Sequence, residues 1–543
     1  MNDDPPQTTP LGMECLINNP LEGIIKIDIV DAQRGFSDPG TTERGEKSKQ
    51  QLSLQMRNYY DKHLDPEKGP APEDLDILRV TEQAKSAFDK SLSEKFKPAI
   101  RELEGLGYPG VTDPRITIAS KLNTSETLRH ESAVQYALSK NDETMRLPEK
   151  YNGLGYQNLI SMVFDLMSFR DDWMREGKAK QVRSKNAPTI EPLHLILLEE
   201  PEAHLHMQVQ QVFIRKAYSV LRNHRLLKDN PEYATQLVIG THSSHIARET
   251  EFSNLRYFKR LPECDTCIVS TAKVVNLSDV FGRDDDTNRF VTRYLQTTHC
   301  DIFFADAAIL VEGAAENMLI PHFIRNKYQE LYQRYISIVS INGKHSHRLG
   351  ALISKLCLPT LVVTDLDSVE PTGYHKAACP ERNRSLISGN FAITGWLIKQ
   401  SGIDELLKIP YAEKEFWYDT PYRHAIRIAY QTPVMVDFNG EPSEAISSTF
   451  EDSLVYTNID LFKNITTSID SSLVKKVNRA INDAKSFEEL HQNIYKALRE
   501  GKSDQKAEFA LDLIYEIDPN SLQIPIYIAE GLEWLQKLLR PEG

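Results

Sequence analysis

Two short apolar runs, each ending in acid, constrain this chain more than any other feature. Ala308 to Val311 (AILV) leads into Glu312-Gly313, and Pro359 to Thr364 (PTLVVT) leads into Asp365-Leu366-Asp367. Apolar runs of this length suit strands buried on both faces, as in a parallel sheet. Between them, Ala314 to Asn326 reads as a helix, Ile336 to Ile341 (ISIVSI) as a strand and His347 to Lys355 as a helix. The result is a compact βαβαβ module. Glu316 follows Glu312 by four residues, the spacing that puts side chains on one helix face. Asp365 and Asp367 are two apart, the spacing that puts side chains on one face of a strand. If the two strands are neighbours, four carboxylates converge on one place. Such a group repels itself unless a cation lies within it, and hard oxygen ligands favour Mg²⁺ or Mn²⁺. Two such ions about 3.5–4 Å apart can activate a water and stabilise the leaving oxygen of a phosphodiester. Taken singly, each acidic pair also reads as a surface helix face or a turn; their order and spacing together favour a site.

A second strand–helix–strand pattern lies upstream, with strands at Leu193 to Leu198 and Leu237 to Gly240 around a helix at Leu205 to Leu221. That order again implies a parallel sheet. Glu199, Glu200 and Glu202 follow its first strand, and ligands bind at such strand ends. One carboxylate there can hold the water shell of magnesium while the next orients a water on a γ-phosphate. His242, in THSSH after the second strand, can sense that phosphate. Gly153 and Gly155 open a helix over Asn152 to Phe169, where glycines let amides approach phosphate. A phosphate loop, GxxxxGK followed by Ser or Thr, is not found. Gly501-Lys502-Ser503 has Lys496 in place of the first glycine, and Gly343-Lys344 has Ile338 there with His345 following. ATP binding is left open, and robust ATP hydrolysis by this chain alone is not expected.

At 543 residues the chain implies two to four domains. Asp38 to Glu73 is polar and rich in Gly and Pro. Leu75 to Leu106 shows helical periodicity and reads as a helical arm, a dimerisation hairpin or an ordinary amphipathic helix. Arg115 to Ser120 reads as a strand. Phe281 to Arg293 reads as the boundary between the two sheets. Ser385 to Gly543 reads as mostly helical, with one strand near Ala425 to Tyr430. A net charge of −13 argues against a protein that simply coats nucleic acid. It does not exclude a carboxylate site whose charge inverts on loading metal. The six cysteines include one CxxC, Cys264 and Cys267, which alone is a weak zinc signal and reads as reduced thiols in a cytoplasmic protein. No secretory signal or membrane-length apolar run is visible, so no membrane partner is expected.

These motifs together resemble the overcoming-lysogenization-defect (OLD) nuclease family. LLEEPEAHLH resembles its Walker B segment, NGLGYQNLI its signature helix, THSSH its switch-histidine region, and DAQRGF, from Asp31 to Phe36, a segment ahead of that signature. The VEG, ExxxE and DxD pattern from about Asp306 to Ser368 resembles its Toprim domain. The resemblance implies an α/β chain in three parts. Residues 1–285 would be an ABC-type ATPase domain lacking the phosphate loop, with a helical or dimerisation insertion at about 70–110. Residues 300–385 would be the Toprim catalytic core, a Rossmann-like parallel sheet. Residues 386–543 would be a mostly helical region completing the nuclease site. It implies a DNA endonuclease or nickase using two Mg²⁺ or Mn²⁺ ions. Glu312, Asp365 and Lys506 would be catalytic, and Glu312, Glu316, Asp365, Asp367 and Glu451 would hold metal. Asp452 is a weaker acidic candidate. Lys506 would stabilise the pentavalent phosphate, and Thr364 and Ser368 could add oxygen ligands. Read from the residues alone, Lys344, Arg348 and nearby His345 and His347 form either a contact to the nucleic-acid backbone or a solvated loop. Gly153, Gly155, Glu199, Glu200 and His242 would bind nucleotide. The resemblance further implies a homodimer or larger homo-oligomer, with a partner protein conceivable, and a role in anti-phage defence. The competing reading is an ATP-gated, SMC-like regulatory or DNA-binding protein without nuclease activity.

Overall fold

The computed structural model describes residues 20–32, 74–107, 115–120, 132–137, 146–148, 154–174, 190–228, 230–261, 269–280, 285–341, 345–372, 376–418, 424–465, 473–499, 503–517 and 521–540. The chain divides into two compact units, Met1–Glu249 and Thr250–Gly543.

The first unit is built on three parallel strands. They are β1 (Ile25–Val30), β5 (Leu193–Glu199) and β6 (Ala234–Gly240), in the order β1-β5-β6. Helix α1 (Asp74–Gly105) and the small antiparallel sheet β2 (Arg115–Ser120), β3 (Ser132–Ala137) and β4 (Arg146–Pro148) lie between β1 and β5 in the chain. Helices α2 (Leu154–Trp173) and α3 (Met207–Arg222) also belong to the unit. The expected strand–helix–strand unit is present as β5-α3-β6. Its core joins Ile196 and Leu198 of β5 to Leu159, Met162 and Leu166 of α2 and to Phe213 and Ala217 of α3. Strand β1 has no apolar run to announce it, because Lys26 and Asp28 alternate with its isoleucines. Asp28 is satisfied by the buried His194 (Nε2 to Oδ2, 2.7 Å) and by Lys26 (2.8 Å). Helix α1 spans the periodic stretch expected of it. Its C-terminal end buries Ala99 and Leu103, whereas Leu75, Val80 and Phe88 stand exposed.

The second unit begins with a hairpin, β7 (Arg256–Leu261) and β8 (Thr271–Asn276), and a helix, α4 (Asp285–Tyr294). With the division at Glu249, this hairpin falls in the second unit, ahead of the Phe281 to Arg293 stretch. Lys259 Nζ donates to the Cys357 carbonyl at 3.5 Å, and the Phe252 and Phe303 rings lie 6.1 Å apart. Tyr294 donates its hydroxyl to the Ser340 carbonyl.

The central sheet contains β9 (Ala307–Val311), β10 (Ile336–Ser340), β11 (Thr360–Val363), β12 (Glu415–Tyr418) and β13 (His424–Ala429), in the order β10-β9-β11-β13-β12. All neighbours are parallel except the β12–β13 edge pair. Helices α5 (Ala314–Lys327) and α6 (Gly350–Leu356) make the crossovers, as the alternating pattern requires. Every residue of β9, β11 and β13 is buried.

Residues 386–543 hold more strand than the single one expected. Besides β12 and β13, a hairpin forms from β14 (Val434–Phe438) and β15 (Glu441–Ala445). The helices beyond it include α7 (Phe450–Thr457), α8 (Ser503–Glu516) and α9 (Ile526–Leu538). Helix α9 lies close against the central sheet because it presents Gly531. A Cβ there would meet Leu361 Cδ1 at 2.8 Å.

Candidate active site

Glu312 leaves the tip of β9, and Asp365 lies just beyond the tip of the neighbouring strand β11. The two parallel strands therefore bring their acids together. Glu312 Oε1 accepts hydrogen bonds from the Asp365 amide at 3.1 Å and, at short range, from the Thr364 hydroxyl and the Asn390 side-chain amide. Three donors on one oxygen fix the carboxylate and leave Oε2 for a proton or a cation. Glu316, in the first turn of α5, is 3% exposed, so its carboxylate is held in a medium that disfavours charge.

The aspartate pair departs from the expected geometry. β11 ends at Val363, so Asp365 and Asp367 do not alternate along a strand. They lie on a turn in which Asp367 adopts a left-handed conformation, φ 47°. Residues distant in sequence hold this turn. The buried Gln431 accepts from the Leu366 amide and donates to Asp365 Oδ1, each at 2.7 Å. The same Gln431 amide donates to the Tyr527 hydroxyl at 3.3 Å. The Ser448 carbonyl accepts from the Asp367 amide at 3.1 Å, and the Ser448 hydroxyl from the Ser368 amide at 3.0 Å. Gly389 donates its amide to the Asp367 carbonyl at 2.9 Å.

The segment after β15 brings in the remaining acids. Asp452 caps α7 by accepting the amides of Ser448 and Thr449, both at 2.8 Å. It thus anchors the loop that holds Asp367 rather than presenting itself as a ligand. Glu451, 3% exposed, accepts from Lys506 Nζ at 2.9 Å and from the Thr449 hydroxyl at 2.8 Å.

The electrostatics follow from putting these acids together out of water. Burial and then the Asp367 charge push the Glu312 carboxyl up to about 7. Burial and then Glu451 push Glu316 up to about 8. Asp365 is raised well above the carboxylate range by burial, Glu312 and Glu316. Burial raises Asp452 to about 7. Burial works against charge on Lys506, but Glu451 and Asp365 outweigh it and hold the ammonium protonated above its ordinary value.

At the tips of β5 and β6 in the first unit, Glu202 Oε1 accepts from the His242 amide at 2.6 Å, and His242 Nε2 lies 3.7 Å from Glu200 Oε1. Glu199 ends β5, and Glu200 sits at φ 41° with its amide donated to the Gly240 carbonyl. The structure therefore gathers Glu200, Glu202 and His242. Gly155 lies against the loop that follows Glu202, where a Cβ would meet the His204 carbonyl oxygen at 2.4 Å. Gly153 and Lys344 lie outside the described residues, as does the DAQRGF segment beyond Ala32.

A family model described as an AAA ATPase domain matches residues 5–247, and one described as an overcoming lysogenization defect protein-like Toprim domain matches residues 303–367. The chain joins an AAA ATPase domain to an OLD-like Toprim domain. Among curated relatives it is 29% identical over 425 residues to Endonuclease GajA of Bacillus cereus (strain HuB5-5), covering 74% of this chain and 55% of that protein. It is 27% identical over 304 residues to the OLD nuclease of Thermus scotoductus (strain ATCC 700910 / SA-01), covering 54% and 48% respectively. The chain thus spans about half the length of the curated relatives it matches. The C-terminal region of the Burkholderia pseudomallei OLD protein aligns over 44% of this chain and all of that one, at 18% identity and a TM-score of 0.25.

The Toprim domain brings together the residues expected of it, Glu312, Glu316, Asp365 and Asp367, and Glu451 and Lys506 reach them from the C-terminal region. Among the described residues, no three or more His, Cys, Asp or Glu side chains are placed so that they could hold a metal ion as they stand. Several of the oxygens are engaged by the protein itself: Asp365 Oδ1 by Gln431, Glu451 Oε2 by Lys506, and Glu312 Oε1 by three donors. The donor set nonetheless suits hard divalent cations, being acidic oxygen throughout. Its raised carboxyls are those that a cation would relieve of a proton. Nothing in the sequence marks Asn390, Gln431, Ser448 or Tyr527. Each is a single polar residue in its own segment, without a spacing to distinguish it.

Proposed function

We propose that this chain is a metal-dependent DNA endonuclease or nickase of the OLD type. The observation that supports it most is the meeting of Glu312, Glu316, Asp365 and Asp367 at adjacent strand tips, with Glu451 and Lys506 alongside. Glu312, Glu316, Asp365, Asp367 and Glu451 would hold two Mg²⁺ or Mn²⁺ ions. When bound, such ions lower the pKa of water and offset charge on the leaving oxygen. Attack of water on phosphorus forms one P–O bond and breaks another, and the water must lose a proton. Glu312, or a metal-bound water near it, would supply the base that takes it. Lys506, held as an ammonium, opposes the charge that accumulates on the phosphoryl oxygens. Gln431 and Asn390 orient Asp365 and Glu312 and do not themselves react. DNA as substrate, assembly as a homodimer or larger homo-oligomer, a partner protein, a cytoplasmic setting and a role in defence against phage belong to the same proposal. So does the three-part division of the chain.

Plasmid nicking by the Glu312→Ala chain tests it. Mg²⁺-dependent nicking by the unaltered chain should disappear while the melting profile persists, and retained nicking rejects the assignment. The gathering of Glu200, Glu202 and His242 favours a second reading, nucleotide-gated regulation. Tight ATP binding together with no nuclease activity would select it.

A further inference from the structure

Phe391 is 45% exposed and directly follows Asn390, the residue that orients Glu312. Its neighbour Asn390 donates to Glu312, and Gly389 donates to Asp367. The Phe391 ring meets the His347 ring edge-on, with centroids 4.5 Å apart. It also lies over Gly395, where a Cβ would fall 2.3 Å from the Phe391 Cε2. A glycine at that position is what allows the ring to lie down on the turn. His347 belongs to the segment after β10, whose Ile341 amide bonds the Val311 carbonyl at 2.8 Å, immediately before Glu312. The Asn390 side of this aromatic corner is thus tied to the catalytic acid itself.

The residues flanking His347 in the chain join a second aromatic cluster that carries one cation. Arg348 Cζ lies 5.4 Å from the centroid of the Phe290 ring, and the Phe290 and His345 rings lie 5.0 Å apart. Burial, then Arg348 and His345, lower the pKa of His347, so at neutral pH its ring is uncharged. An exposed ring packed against His347 and Gly395, with Arg348 next to His347 in the chain, matches the way proteins bind unpaired bases: stacking on the aromatic face with the backbone phosphate held nearby.

We propose that Phe391, braced by His347 and Gly395, is a stacking platform for an unpaired nucleobase next to the phosphate on which the carboxylate cluster acts. The proposal rests on the nuclease reading and adds to it the form of the substrate: a strand whose base is free to leave the duplex. Stacking tolerates any base, so the platform would favour single-stranded or distorted sites without selecting sequence.

The test uses the full chain with a single-stranded DNA oligonucleotide carrying one 2-aminopurine, in Ca²⁺. Dissociation constants and fluorescence quenching would be compared for the unaltered chain, Phe391→Ala and Phe391→Trp, with plasmid nicking in Mg²⁺ measured in parallel. Phe391→Ala should weaken binding roughly tenfold or more and lose part of the quenching, and Phe391→Trp should retain both. If the unaltered chain nicks and binds while Phe391→Ala binds and quenches equally well, the platform is overturned and the nuclease reading stands. If the alanine and tryptophan variants weaken binding equally, stacking is likewise overturned. An unaltered chain that folds but neither nicks nor binds the oligonucleotide overturns both.

Discussion

Replacing Gln431 with leucine should damage the site without touching a single acid. Gln431 is fully buried and gives each end of its amide to the Asp365–Asp367 turn, to the Leu366 amide and to Asp365 Oδ1, both at 2.7 Å. Leucine is similar in size, so the loss is one of hydrogen bonding rather than volume. A buried partner left unsatisfied costs about 1–3 kcal/mol, with bonds to charged groups at the upper end. Two such bonds give about 2–6 kcal/mol. For a unit of about 300 residues, at about 2.1 cal/mol/K per residue, that lowers the melting temperature by about 3–10 °C. Differential scanning calorimetry reads the shift, and plasmid nicking at saturating Mg²⁺ should fall because Asp365 is no longer aimed. Gln431→Glu separates the two effects: it keeps an acceptor for Leu366 but sets a carboxylate against Asp365, so nicking should fall again. A leucine variant that melts and nicks like the unaltered chain would refute the claim that Gln431 holds the turn.

Other outcomes rest on the same geometry. In EDTA the chain should lose stability as pH rises from about 5 to 8. Glu316, at about 8 in the fold against 4.5 when exposed, and Glu312 and Asp452, each at about 7, contribute stability while protonated and lose it as pH passes through those folded values. The stabilisation conferred by Mn²⁺ should grow over the same window, and a melting temperature in EDTA that is flat or rising with pH contradicts the electrostatic account. In the ATPase domain, Gly155→Ala should destabilise by about 1–3 kcal/mol, because its Cβ would meet the backbone oxygen of His204 at 2.4 Å and backbone cannot rotate away. An unchanged unfolding transition would show that the α2 start does not depend on that close approach.

How much is legible in the letters depends on how local the signal is. β9 is all-apolar, β11 is apolar but for Thr360, and an acid follows each within two residues, so both the strands and their chemistry are visible in sequence. β13 is buried throughout but carries His424 and Arg427, and of the five strands described in its region it alone is anticipated. Arg427 is accommodated by the Tyr411 ring, 3.5 Å away, and by the Tyr411 carbonyl at 3.1 Å, partners that no local pattern reveals. Strand alternation predicts that Asp365 and Asp367 converge. Their convergence is achieved instead by a left-handed Asp367 in a turn held by Gln431 and Ser448, about 65 and 80 residues downstream. Such partners become visible only once the chain is folded. β1 is hidden in the sequence because Asp28 is partnered by His194 from β5, which makes an acid acceptable in the sheet.

The central claim is that acids at neighbouring strand tips form a site for a pair of divalent cations. Isothermal titration of the metal-free full chain with Mn²⁺, beside its Asp365→Asn variant, tests this most directly. The account predicts two ions per chain, with affinity sharply reduced by the variant. An unaltered chain that takes up no Mn²⁺, or a variant that takes it up equally well, would contradict it.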